Sequence, residues 1–154
     1  FLETQKNLSG VTVDFTGIPA WVKKITAMVS LMSTNGTSVP MVQLGDSGGF
    51  ELTGYVGSAS QLDGLPTFSN LNTGFELSQA NAGTNVYNGS IVFTLMNSST
   101  NMWSCMSQLG HSDSALLALC AGTKALTGVL TQIRFTTVNG TDAYDTGTVN
   151  LLLE

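Results

Sequence analysis

The stretch Lys24–Leu44, KITAMVSLMSTNGTSVPMVQL, decides the reading of the fold. In its first half apolar and polar residues alternate, with Ile25, Ala27, Val29 and Leu31 at every second position. Side chains of a strand point alternately to opposite faces, so this period of two describes a half-buried strand rather than a helix. Asn35-Gly36 follows. Both residues tolerate positive φ, and such a pair between alternating segments is the strongest short hairpin signal. Val39–Leu44 resumes as a strand that starts late or lies at an edge, because Pro40 brings no ladder donor.

The pattern recurs outward from there. Asn88-Gly89 precedes the alternating Ile91–Met96. Asn139-Gly140 follows Val129, Thr131, Ile133, Phe135 and Thr137, which share one face, and precedes Thr148–Leu153. Further strands are expected at Gly10–Phe15, Phe50–Val56, Gly74–Leu77, Met102–Leu109 and Leu116–Cys120. About ten strands with short turns predict an all-β fold, an antiparallel β-sandwich or a barrel. Ser112–Leu119 has an equal claim to a short helix capped by Ser112, and Gly17–Trp21 is the other helical candidate, with Pro19 in its first turn. Ser58–Asn72, polar and carrying Gly64 and Pro66, reads as one long surface loop.

Composition agrees with sheets. The 154 residues make one domain. Hydrophobic residues are 42% but charged residues only 10%, against about 25% in ordinary domains. Ser (16), Thr (20), Asn (11) and Gly (17) take the place of charge. These are poor helix formers that suit strand faces and tight turns. A net charge of −5 with five Lys and Arg in all disfavours nucleic acid and anionic membranes as partners. The longest apolar run, Ala115–Ala121, is seven residues, and a bilayer span needs roughly 20. High apolar content with little charge predicts burial against other subunits. Cys105 and Cys120 lie in apolar stretches and read as buried free thiols, as suits a reducing cytosol. A chain that starts at Phe1 rather than Met reads as a piece of a longer one.

Chemistry has few carriers. One His and two Cys cannot make a four-ligand zinc site. Asp142 and Asp145 could offer calcium two ligands, but turn chemistry explains them as well. His111, in Gly110-His111-Ser112-Asp113, reads as an exposed turn residue, and no nucleophile elbow or phosphate loop occurs. A glycosidase needs two carboxylates at ~5–9 Å, and Asp46 with Glu51, or Asp142 with Asp145, are the nearest pairs in sequence. Five Asn-x-Ser/Thr sequons occur, three of them at the Asn-Gly turns. No catalytic residue, metal ligand or cofactor is therefore assigned. A binding surface remains. Sugars are held by a ring against their C–H face with amides on the hydroxyls, and Tyr55, Tyr87, Asn88, Asn101 and Trp103 are the candidates.

Two segments carry a resemblance. Val13–Thr26 reads VDFTGIPAWVKKIT, and Leu130–Glu154 reads LTQIRFTTVNGTDAYDTGTVNLLLE. Both are similar to the C-terminal region of tail fibre proteins of tailed bacteriophages and prophages, in which a DFTGIP-x-W-x-K-x-I opening and a closing TTVNGTD-aromatic-D-x-G segment recur. Together with the stretch that follows the first, they span about 80 residues; the middle, Tyr55–Leu126, carries no such likeness. The resemblance implies a jelly-roll-like β-sandwich tip, assembled as a homotrimer in the host cytoplasm and carried on the virion. It would bind a host surface polysaccharide, capsular or lipopolysaccharide, without catalysis. Residues 1–8 would connect to the rest of the fibre, and 9–154 would form the tip. It also implies structural roles for Asp14, Trp21, Asp145 and Gly147. Trp21 would anchor the first turn in the core, Asp145 and Gly147 would set the turn into the last strand, and Tyr144 would pack. A polysaccharide depolymerase and a purely structural trimerisation cap are the competing readings.

Overall fold

The computed structural model describes residues 1–64, 67–112 and 114–154. Among them run thirteen strands: β1 (Lys6–Asn7), β2 (Val13–Thr16), β3 (Lys24–Thr34), β4 (Pro40–Asp46), β5 (Gly49–Phe50), β6 (Tyr55–Leu62), β7 (Thr67–Asn70), β8 (Phe75–Glu76), β9 (Tyr87–Asn97), β10 (Met102–His111), β11 (Leu117–Ala125), β12 (Gln132–Thr137) and β13 (Tyr144–Leu153). Three are only two residues long, so the ten longer ones match the expected number. No described residue is helical. Ala118 and Cys120 alternate inward within β11, which decides for the strand expected at Leu116–Cys120 over the helix that Ser112–Leu119 equally offered, although Asp113 itself lies outside the described residues. Gly17–Trp21 belongs to a turn closed by Val22 N–H on the Pro19 carbonyl at 3.0 Å.

All strand pairs are antiparallel. Eight strands form one sheet in the order β1-β13-β3-β9-β10-β11-β6-β7. A smaller sheet runs β2-β12-β4, with β5 and β8 sharing the far edge of β4. The arrangement is sandwich-like, because the inward rows of both sheets meet in one core. Ile25, Ala27, Ile91, Phe93, Leu109 and Leu151 come from the large sheet, and Phe15, Leu44, Phe75, Ile133 and Phe135 from the small one. Phe75 of the small sheet stands edge-on to Tyr55 at 4.9 Å and lies 5.9 Å from Phe93, both of the large sheet. Such aromatic pairs add about 1 kcal/mol beyond the area they bury. Asp14 serves structure as expected. It grips Arg134 across β2 and β12 through two bonds of 2.8 Å, and the guanidinium lies 4.0 Å from the centre of the Phe50 ring.

The structure corrects the turn assignments. None of the three Asn-Gly pairs closes a two-residue hairpin. Asn35-Gly36 links β3 to β4, which belong to different sheets. Asn88-Gly89 lies inside β9, where Gly89 has φ 148° and a Cβ would stand 2.2 Å from the Gln108 carbonyl oxygen. Asn139-Gly140 is a true turn, with Gly140 at φ 66°, but it too passes between sheets. The hairpin from β9 to β10 uses Asn101 instead, at φ 48°. Asn tolerates that left-handed region, so the turn needs no glycine.

Other expectations shift locally. Ser58–Asn72 is not one loop: β6 continues to Leu62 and pairs with β7. Its inward residues include Gly57 and the small Ala59, and its outward ones include the apolar Val56 and Leu62 beside two serines, so the hydrophobic alternation was faint. Leu65 and Pro66 lie outside the described residues. The strand expected at Phe50–Val56 is broken, because the chain leaves the small sheet after β5 and enters the large one at Tyr55. Trp21 is 56% exposed. The turn at Pro19 sends Ile18 and Val22 into the core in its place. Val129, expected inward, is exposed and precedes β12.

Residues 1–10 run along β13. Phe1 N donates to the Leu153 carbonyl at 2.7 Å, Glu3 N to Leu151 at 2.8 Å and Leu8 N to Gly147 at 2.8 Å, with a bridge between Gly10 and Tyr144. Leu8 is buried. By strand pairing, Phe1, Trp21, Lys24, Asn101 and Glu154 lie at one end of the molecule. Asn35–Ser38, Asn81–Asn85, His111 and Asn139–Asp142 lie at the other.

Candidate binding site

Alternation in β3 fails at one place, and the site is built there. Ile25, Ala27 and Val29 face inward as expected, but Leu31 is exposed and Met32 takes the inward place. The pairing with β9 slips between Val29 and Met32, and Leu31 adopts φ 55°. A left-handed backbone at a bulky residue costs roughly 1–2 kcal/mol. Two contacts hold it. Asn88 Oδ1 accepts the Leu31 N–H at 2.8 Å, replacing the ladder partner that the bulge removes, while Asn88 Nδ2 donates to Ser112 Oγ at 2.5 Å. On the other flank β13 slips twice, between Tyr144 and Thr146 and between Thr146 and Thr148. Gly147, at φ 106°, lies so close there that a Cβ would stand 2.5 Å from the Leu31 carbonyl oxygen. A bulge re-aims side chains and bends its strand. Here these adjoining bulges open a groove of about 580 Å³, bordered by Asn7, Ser9, Ser30, Leu31, Asp145 and Thr148. Asp145 and Gly147 thus belong to bulges within β13, not to the turn before it.

The groove is lined with hydroxyls and one amide around the half-exposed Leu31, with Asp145 as its carboxylate. That set offers donors, acceptors and an apolar spot to a polyhydroxylated ligand. Next to it the loops are knitted together. Asn81 Nδ2 lies within reach of Thr34 Oγ1 (2.9 Å), the Gly36 carbonyl (3.0 Å) and the Ser38 carbonyl (3.1 Å), and its Oδ1 accepts from Tyr87 Oη at 3.0 Å. Asp142 accepts from Ser38 N at 2.8 Å and Asn139 Nδ2 at 2.9 Å. These bonds, Asn139 first, hold its carboxyl below the usual range.

The five residues singled out by sequence do not form one site. Tyr87 and Asn88 lie at the loop end, and Tyr55, Asn101 and Trp103 at the end that carries the termini. The three rings are 5%, 1% and 3% exposed for Tyr55, Tyr87 and Trp103, so none presents a stacking face. Tyr55 Oη accepts from Leu44 N at 2.8 Å and donates to the Glu51 carbonyl at 2.9 Å; burial pushes its pKa up. Tyr87 stands edge-on to His111 at 4.4 Å, and His111, only partly exposed, contacts Ser114 Oγ through Nδ1 at 3.2 Å. Tyr144 packs as expected, its hydroxyl donating to the Thr136 carbonyl at 2.9 Å. Cys105 and Cys120 are buried free thiols, and burial pushes Cys105 well above the ordinary value. The sequence did hold a sign of the groove: Gly147 inside a strand pattern marks a bulge.

One carboxylate pair does converge. Thr127 Oγ1 lies 2.8 Å from Asp46 Oδ2 and 2.9 Å from Glu51 Oε1. Thr127 and the Gly48 amide keep Asp46 ionised. Burial resists ionisation of Glu51, but bonds from Lys124 and Thr127 outweigh it. A general acid must hold a proton near neutral pH, and both carboxyls are shifted the other way. Lys124, 5% exposed, is ion-paired with Glu51 and also donates to the Ala125 carbonyl at 2.7 Å. Asp142 and Asp145, the other sequence pair, part company: Asp142 ties loops and Asp145 borders the groove. Among the described residues no three His, Cys, Asp or Glu gather as a metal site.

The outward face of the large sheet is a further surface with exposed apolar side chains. Met28, Val56, Phe68, Met106 and Leu117 are exposed there among Ser, Thr and Gln. Lys24, at the edge of this face, is paired with Glu154 at 2.9 Å. No protein-family model matches the chain, and no curated protein matches it significantly.

Proposed function

We propose that the chain is the distal, receptor-binding tip of a tailed-phage tail fibre: a jelly-roll-like sandwich, homotrimeric, that adsorbs to host capsular polysaccharide or lipopolysaccharide without bond chemistry. The observation that carries the binding reading is the bulge groove. A strained Leu31, secured by Asn88 and Gly147, opens a cleft lined by hydroxyls. Strain of this kind persists where surrounding structure over-determines it, and it concentrates at binding sites. The groove belongs to the end away from Phe1, which in a fibre is the end that meets the host.

Adsorption of the isolated domain to capsule or lipopolysaccharide tests the reading. Ser30→Trp fills the groove and Asp145→Ala removes its carboxylate. Both variants are expected to keep the far-ultraviolet spectrum of the parent and to lose adsorption. Unchanged adsorption in both, or new reducing ends in the polymer, would overturn it.

The outward face of the large sheet favours a second role beside the first, subunit association. It combines exposed Met28, Val56, Met106 and Leu117 with scarcely any charge, the composition of a surface that excludes water against another neutral surface. The groove adjoins the β13 margin of this face through Ser30 and Thr148, so three copies would carry three grooves near their boundaries and gain strength by avidity.

A further inference from the structure

We propose that Asn35 is a site of spontaneous deamidation, and that its conversion loosens the knitted loops at the far end of the molecule. In an Asn-Gly pair the backbone nitrogen of Gly attacks the side-chain carbonyl carbon of Asn, since glycine has no Cβ to hinder the approach. The nitrogen loses its proton to solvent base. A new C–N bond forms, the Cγ–Nδ2 bond breaks, and the amide leaves as ammonia after taking a proton from water. Water then opens the resulting succinimide at either carbonyl, giving aspartate or isoaspartate. The net change consumes one water and releases one ammonia.

Three identical dipeptides occupy three different environments. Asn88 lies in a paired strand, with both ends of its amide held, Oδ1 by Leu31 N and Nδ2 by Ser112 Oγ. In Asn139-Gly140 the attacking nitrogen is itself engaged, donating to the Thr137 carbonyl at 3.0 Å. Asn139 Oδ1 meanwhile takes Thr141 N, Asp142 N and Thr137 Oγ1, each at 3.0 Å. Asn35 is exposed and outside any strand. Its side chain accepts one bond, from Ala143 N at 2.9 Å. Among the described residues nothing accepts from the Gly36 N–H or from Asn35 Nδ2. Fewer bonds must open for the nucleophile to reach the carbonyl at Asn35 than at either of the others.

The consequence follows from what surrounds Gly36. A Cβ on Gly36 would stand 2.1 Å from Asp142 Oδ2, so the Asp142 carboxylate lies directly on that backbone. Isoaspartate adds a methylene to the main chain just before Gly36, and either product adds a negative charge beside Asp142. The bonds at risk are Ser38 N to Asp142 and Asn81 to the Gly36 and Ser38 carbonyls.

Peptide mapping by mass spectrometry of the intact domain, aged in mildly alkaline buffer, tests the order. Each lost hydrogen bond contributes modestly, so conversion is expected to be roughly tenfold or more faster at Asn35 than at Asn88 or Asn139. In denaturant the three rates should converge. Comparable native rates at all three, or a lead by Asn88 or Asn139, would overturn the assignment. Hydrogen exchange at the Ser38 amide should quicken in aged protein and stay slow in aged Asn35→Gln, whose longer side chain closes the ring far less readily. Slow exchange at Ser38 after full conversion of Asn35 would overturn the loop consequence.

Discussion

At Leu31 the backbone adopts a conformation that suits glycine, yet the side chain is a leucine with 52% of its surface exposed. Leu31→Gly should therefore raise stability by about 1 kcal/mol in urea unfolding. It should weaken polysaccharide adsorption in the same protein, because the apolar spot of the groove is gone. Asn88→Ala removes the acceptor of the Leu31 N–H and should lower stability by about 1 kcal/mol in the same measurement. The sequence pointed to Asn88 for the wrong reason. Asn-Gly reads as a turn, whereas here Asn supplies a carbonyl to a neighbouring strand and Gly lets the strands approach. Tyr55, Tyr87 and Trp103 misled for a related reason. Polar and small neighbours suggested loops, but in a chain this poor in charge Ser and Asn also occupy the outward positions of buried strands.

Among the elements, the contact between β11 and the segment that joins β5 to β6 holds the most buried of the ion pairs among the described residues. Lys124 points into the sandwich between Glu51 and the Tyr55 ring, 5.6 Å from the ring centre. Removing one partner of a buried ion pair strands the other, so Lys124→Ala should cost about 3 kcal/mol in denaturant unfolding. Nothing in the sequence distinguished this lysine from one on a solvated face. Acid sensitivity belongs here too. Asp46, Glu51 and Asp142 have lowered pKa values, so each contributes stability that is present above its unfolded value and lost as pH falls through the folded one. Glu76 is raised by burial, with Ser69 opposing, and acts the other way: its contribution is lost as pH rises through the folded value. Three groups against one predict a melting temperature that falls below about pH 4. Thr127→Val, which removes a partner from both Asp46 and Glu51, should flatten that fall.

For the molecule as a whole, the alternation and the strand count were legible because they report local backbone geometry. Which strands share a sheet was not. β3 and β4 look like a hairpin in sequence and lie in opposite sheets, since the chain needs a crossing at Asn35-Gly36 rather than a reversal. The proposed assembly is tested at this scale. Met106→Glu and Val56→Glu place charge on the broad outward face, and each should convert a trimer to monomers by light scattering while leaving the fold intact. A wild-type chain that sediments as a monomer would remove the assembly reading and leave the groove untouched. The first ten residues bear on mechanics. They lie antiparallel to β13 from Leu153 back to Tyr144, so a pull on Phe1 away from the loops loads those rungs together in shear instead of peeling them singly. Asn7 and Ser9 belong to the same segment and border the groove. On the proposed reading, tension through the N-terminal segment would thus reach the walls of the cleft before it reached the core, tying grip on a surface to the force that strains it.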